Sequence, residues 1–405
     1  MSKPLVTMRE GGGLHWAIRL VVAAIIVYAI IWIPTNADVG LLTTCIEALV
    51  LMGAAMALNL VLGYTGQISI GHSAFLGIGA YVTGIMVSRW GYSPWVTLIF
   101  AFVIAFLVGV VVSFPASRIK GVYLALVTLA LGLVFPQVLT WPKLSWLTGG
   151  GSGLPNDESE VPTTGFVIGV KEGQMRYFKV FGWDPFGDLR RPEAKGAFYY
   201  WIAVFLVVII YLVCRGIVKS RVGRSLIAIR DNETAAAVMG VNLVATKAFV
   251  FGISAGLCSL PGSLTAIRVG SISPEGIVSL TVRGAITFLI VMVIGGAGSL
   301  WGPIIGAVAY TYITDKTGGW ADDSAIPAPL RPFFEWSKVA PADGIFALLL
   351  ITLMFVAPRG ITGAWKQYSP RVVRVIPRPA GAVGAAPPVA LATVTTTTSN
   401  EGEPQ

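Results

Sequence analysis

Ten stretches of this chain are apolar for about the length that crosses a bilayer, and no other feature constrains the fold so strongly. They lie near residues 14–33, 41–62, 72–90, 95–114, 121–140, 198–214, 247–266, 283–297, 301–313 and 341–357. A hydrocarbon core of ~30 Å takes about 20 helical residues. Backbone groups in lipid must be satisfied within the segment, which makes helices the default for such runs. Strands of a membrane barrel would alternate apolar and polar residues, and these runs do not alternate. The expected fold is therefore all-α, a polytopic transmembrane helical bundle. The third run is Gly-rich and the ninth short, so the count is about ten spans, with a range of eight to ten.

Composition points the same way. Of 405 residues 55% are hydrophobic and only 12% charged, against about a quarter charged in an average soluble protein, which argues against a soluble enzyme. A net charge of +9 would suit nucleic acid only as a concentrated basic face on a soluble domain, so no nucleic-acid partner is expected and membrane lipid is. Cys45, Cys214 and Cys258 sit in or beside apolar runs without C-x-x-C spacing, implying neither a disulfide framework nor a zinc site. With His15 and His72 the only histidines, no metal site is expected.

Lys and Arg in the loops set the orientation. The 215–246 loop holds Arg215, Lys219, Arg221, Arg224 and Arg230 against Asp231 and Glu233, and the 115–120 turn adds Arg118 and Lys120. Both belong in the cytoplasm. The 141–197 loop balances seven basic with seven acidic residues, and 314–340 has three basic against four acidic. Both fit the outside. Ten spans make these four loops mutually consistent and put both termini in the cytoplasm. The division expected is a cytoplasmic segment 1–13, a transmembrane domain 14–360, and a basic, then disordered, tail 361–405 whose last part is Pro, Ala, Gly, Val and Thr without helical period. The first run has Arg9 and Arg19 near its start but no clear small-x-small cleavage site, and is read as a retained span. The outer loop 141–197 either docks a partner or caps the bundle.

Three stretches stand out. In Gly63 to Tyr81, Gly63, Gly66, Gly71, Gly77 and Gly79 with Ser69 and Ser73 strip side-chain bulk so that a helix or a solute can approach the backbone. Gln67, Ser69 and His72 are unusually polar for hydrocarbon. Two readings stand: helix packing alone, or a segment lining a pathway. In the basic loop, Val222, Leu226 and Ile229 recur at i, i+4 and i+7 as a narrow apolar stripe. Asp231 is placed to N-cap a second short helix that Gly240 ends. That helix is too short to persist alone, so it rests either in a groove of a soluble partner, burying Ala235, Ala236 and Met239, or at the lipid headgroups. In Ile294 to Pro303, Gly295, Gly296, Gly298 and Gly302 interrupt an apolar run as a tight interhelical turn. No G-x-x-x-x-G-K-[ST] pattern occurs, so no ATP hydrolysis is expected in this chain. Glu47 is the main carboxylate within the spans, a scarcity of acids that disfavours an ion-coupled carrier.

These three stretches, in this order, with Gly121 to Ala130 and Ser271 to Glu275, resemble the permeases of ABC importers for branched-chain amino acids, particularly the longer of the two permease types; urea and short-amide importers use similar permeases. The resemblance covers roughly 40–360. It implies a multi-pass subunit of the bacterial inner membrane that is not an enzyme and holds no cofactor. Its partners would be a second related permease, two cytoplasmic ATPases binding ATP and Mg, and an extracytoplasmic solute-binding protein. The ATPase-docking loop of such importers often carries E-A-A-x-x-x-G. Here Ala235, Ala236 and Gly240 match, while Thr234 holds the Glu position and Glu233 comes one residue early. The resemblance thus assigns docking to Arg221, Gly223, Arg224, Arg230, Glu233, Ala235, Ala236 and Gly240. Translocation or the packing it requires falls to Gly63, Gly66, Gln67, Ser69, Gly71, His72, Gly77, Gly79 and the glycines of 295–302. The implied action is ATP-driven alternating access for a branched-chain or other hydrophobic amino acid, with urea or a short amide, or an ion-coupled carrier, as alternatives.

Overall fold

In a computed structural model, residues 6–9, 13–118, 121–154, 192–274, 282–320, 352, 360–363 and 373–376 are described here. The chain divides into two units, residues 27–367 and a smaller one made of residues 1–26 with 368–405. The smaller unit pairs strand β1 (Val6–Arg9) in parallel with β2 (Val373–Ile376), Val6 opposite Val373. This two-stranded ribbon, formed by segments at opposite ends of the sequence, was not foreseen in an otherwise helical reading. Helix α1 (Gly13–Asn36) begins in that unit and ends in the larger one.

Along the larger unit come α2 (Val39–Thr65), α3 (His72–Ser88), α4 (Pro94–Arg118), α5 (Val122–Leu139), the single turn α6 (Ser145–Thr148), and α7 (Pro192–Lys219). Then follow α8 (Arg221–Asp231), α9 (Glu233–Val238), α10 (Leu243–Val269), α11 (Val282–Gly295) and α12 (Gly302–Trp320). Nine of the ten apolar runs thus fall on helices; the tenth, 341–357, lies outside the described residues but for Thr352. Among the described residues four helices, α2, α4, α7 and α10, are long and apolar enough to cross a membrane. Of the 141–197 loop, 155–191 lie outside the described residues, and its last six belong to α7.

Small residues decide which helices are central. α10 packs along α4, α3 and α2, while α7 and α12 lie along α2. A Cβ on Gly79 would overlap the Ser259 carbonyl, and one on Gly262 the Leu76 carbonyl, so α3 and α10 touch backbone to backbone. Where they touch, Ser263 Oγ donates to the Gly79 carbonyl at 3.0 Å. Gly109 on α4 likewise admits Ala255 and Gly252 of α10. Such contacts are what drives helices together in lipid, where burying apolar surface gives no advantage. α4 and α7 instead turn large apolar side chains outward, Ile99, Val111 and Phe205 each being 67% exposed. That is costly in water and costs nothing against acyl chains.

Candidate functional site

All three glycine-rich and basic stretches meet at one place. Gly66 ends α2 in the left-handed region (φ 72°), its Cα backed by the Arg230 side chain. From the last residues of α8, Arg230 Nη1 donates to the Gly63 carbonyl at 3.0 Å, one of the carbonyls that a helix end leaves without an intrahelical donor. Gly63 in turn lies against the backbone of Gly298. One turn earlier, the buried Asn59 grips the 296–301 turn at two points. Its Nδ2 donates to the Ser299 carbonyl at 2.9 Å, and its Oδ1 accepts from Gly298 N–H at 3.0 Å. Gly296 (φ 96°) and Gly298 (φ 78°) supply the turn's left-handed backbone, and Gly295 lets α11 approach Gly302 at the start of α12.

The stripe on α8 faces inward, with Leu226 and Ile229 buried and Val222 partly buried against the core. Gly223 is needed where α7 turns into α8, since a Cβ there would overlap the Val218 carbonyl. Ser220 caps α8 through Gly223 N–H at 3.4 Å. Arg221 and Arg224 are exposed. The cap of α9 is Asn232, whose Oδ1 accepts from Ala235 N–H at 3.0 Å, not Asp231, which remains the last residue of α8. Gly240 follows α9 with φ 86°.

Two assignments on α9 need correction. Ala236 is 3% exposed, turned into this chain and so off any docking face; Ala235 is exposed, and Val238 and Met239 are 82% and 83% exposed. Glu233 is engaged within the chain: it accepts from Lys247 Nζ at 2.6 Å, and Lys247 is itself buried in the first turns of α10. The reason is geometric, since a six-residue helix must spend one face on its own scaffold. Lys247 and Asn59 escaped the sequence reading, although a lone Lys or Asn in an apolar run is costly enough to signal a partner. With Glu233→Gln the buried ammonium loses its charged acceptor, and the cost expected is about 3 kcal/mol. Adding Lys247→Met should recover much of it, as read by melting of the detergent-solubilised protein.

His72 is buried and hydrogen-bonded at both ring nitrogens. Its Nδ1 lies 2.7 Å from Ser69 Oγ and its Nε2 2.9 Å from Ser254 Oγ. Ser254 spends its proton on the Ala57 carbonyl, so it accepts from Nε2–H, and Nδ1 accepts from Ser69. That tautomer chain ties α2, α3 and α10 together, and Phe75 and Phe251 close on the ring edge-on at 5.4 and 5.3 Å. Gly71 meets the Thr128 carbonyl of α5, while Gly77 is buried within α3. Gln67, in the link between α2 and α3, is partly exposed, and Gly66 before it is exposed.

Residues 40–357 match the family described as branched-chain amino acid transport system, permease component. The chain is 30% identical over 347 residues to the high-affinity branched-chain amino acid transport system permease protein LivM of Escherichia coli K12, covering 85% of this chain and 74% of that protein. To LivM of Salmonella typhimurium LT2 it is 29% identical with the same coverage. To the autoinducer 2 import system permease protein LsrC of Salmonella typhi it is 25% identical over 66% of this chain and 67% of that one. No solved structure matches.

Proposed function

Because this chain belongs to the family of permease components of branched-chain amino acid transport systems, we propose that it forms half of the membrane pathway of an ATP-driven inner-membrane importer of branched-chain amino acids. It is a transport subunit and not an enzyme. A second permease completes the pathway, two cytoplasmic ATPases bind ATP and Mg, and an extracytoplasmic binding protein delivers the solute.

The observation that carries this reading is the mechanical path from the basic loop into the bundle. The exposed Val238 and Met239 end a short helix that Glu233 bonds to α10, and Arg230 bonds the preceding helix to α2. α2 and α10 are the most buried of the long helices. An ATPase that grips Val238 and Met239 of α9 and pairs with the exposed Arg221 and Arg224 of α8 therefore pulls on the two central helices together. Nucleotide binding would then shift populations between states open to opposite sides.

Met239→Arg places a charge where an apolar contact is to be desolvated. In co-purification of the tagged chain with its partners, the variant should keep the second permease and lose the ATPases, with ATP-dependent leucine uptake falling to background. Retention of ATPase and uptake by the variant would overturn the docking assignment. Uptake by the wild type that follows an ion gradient without ATP would overturn the importer reading.

A further inference from the structure

At the other end of α2 and α10 lies a cavity of about 360 Å³, within the size range of small-ligand sites. From Glu47 to Gly63 along α2 there are sixteen residues, about 24 Å at 1.5 Å per residue, so this cavity and the docking loop serve opposite sides of the bundle. With the basic loop inside, the cavity belongs to the outer half. Leu76 of α3 is among its lining residues.

The lining has three parts. Glu47 of α2 and Arg268 of α10 form an ion pair, Nη2 to Oε1 3.2 Å. Arg268 Nε is buried and has no hydrogen-bond partner among the described residues. Opposite stand hydroxyls of α10, α11 and α12, including Thr287 and Tyr310, whose oxygens are 3.2 Å apart. The rest is apolar, with Leu51, Val269 and Phe288 among the wall residues. The segment 271–273 that borders it is held by a two-way backbone pairing of Ile272 with Leu154, both bonds 2.6 Å.

We infer that this cavity is a transit site for an aliphatic α-amino acid zwitterion, Glu47 taking the ammonium, Arg268 the carboxylate, and the Leu51–Phe288 side the aliphatic chain. The inference rests on the importer reading above. Arg268 is 20% exposed and Glu47 58%, so it is chiefly Arg268 that is costly to leave unpaired, and a zwitterion brings a charge of each sign. When empty, the site satisfies its own two charges; when filled, each exchanges its partner for a group of the same sign. Net charge stays zero in both states, so neither traps the site. The open Arg268 Nε–H gives the carboxylate a second donor beside the Nη2–H that Glu47 would release, the fork geometry that favours Arg for carboxylates.

The test uses the complex of this chain with its second permease and ATPases in nanodiscs, without the binding protein and without nucleotide. Radiolabelled leucine is competed with leucinamide, which lacks the carboxylate, and isocaproate, which lacks the ammonium. Leucine should bind saturably, with both analogues competing at least about tenfold less well, as expected for loss of a charge-assisted hydrogen bond. Glu47→Gln should weaken leucine binding while narrowing the gap to isocaproate, and Arg268→Gln should narrow the gap to leucinamide. A merely structural pair would not move discrimination in this paired way. Should the variants fail to assemble, equal competition by both analogues in the wild type overturns the assignment, and absent saturable binding does so as well. If the wild-type complex, supplied with its binding protein in proteoliposomes, does not import leucine with ATP, the importer reading falls; if it does and both variants bind leucine with unchanged discrimination, only the cavity assignment falls.

Discussion

Gly79→Leu is expected to abolish the folded permease, while Gly216→Leu leaves it intact. A Cβ on Gly79 falls on the Ser259 carbonyl, and that neighbour is backbone of a helix packed on two others, with no rotamer to yield. To admit the side chain, α3 and α10 must separate, which also breaks the Ser263 bond to the Gly79 carbonyl and opens the packing beside His72. Overpacking against a side chain costs about 1–3 kcal/mol; against backbone the expectation is the top of that range or beyond, about 3 kcal/mol or more. Gly216 sits in the last turn of α7 with nothing near its Cα to meet a Cβ, so leucine there should be neutral or stabilising, by up to about 1 kcal/mol of helix propensity. Melting of both variants in detergent checks the contrast. Equal melting temperatures would mean that α3 and α10 do not meet as closely as described.

Asn59→Leu should be nearly as damaging without any clash. The leucine is close in size and better suited to an apolar helix, so burial alone predicts a gain. What it removes is the acceptor of Gly298 N–H and the donor to the Ser299 carbonyl. Each backbone group left unsatisfied costs about 1–3 kcal/mol, so the sum is about 2–6 kcal/mol. The 296–301 turn would lose its register against Gly63, and with it the seat of Arg230. The expected signature is a lowered melting temperature together with ATP hydrolysis uncoupled from leucine uptake in proteoliposomes. Asn59→Asp separates the two bonds: its carboxylate still accepts from Gly298 N–H but cannot donate to Ser299. A wild-type melting temperature for Asn59→Leu would remove Asn59 from this role.

These two residues illustrate different kinds of legibility. Gly79 stands in a stretch whose glycines already announced close approach, and the fold supplied only the partner. Asn59 gave a weaker signal, one amide in an apolar helix, and its acceptor lies 240 positions later in the chain. The same division runs through α8 and α9. Their existence, their basic charge and the inward stripe of Leu226 and Ile229 follow from period and composition. The identity of the exposed face does not, because Ala235 and Ala236 are chemically equivalent and which one turns inward depends on how α9 sits on its scaffold, where Glu233 pairs with Lys247.

What the sequence by itself determined is local. A run of about 20 apolar residues in lipid must satisfy its own backbone, so α2, α4, α7 and α10 could be placed from composition alone, and the basic loops give their expected orientation. The glycine-rich and basic stretches carried the family. What only the tertiary structure decided is every meeting of distant segments: Arg230 on Gly63, Lys247 on Glu233, Arg268 on Glu47, and the parallel pairing of β1 with β2. In lipid no apolar stripe tells one helix which neighbour to choose, since every apolar face is equally content against acyl chains. Partner and register are set by the fit of small residues and by a few polar bonds, and a fit between two surfaces is a property that neither stretch of sequence holds alone.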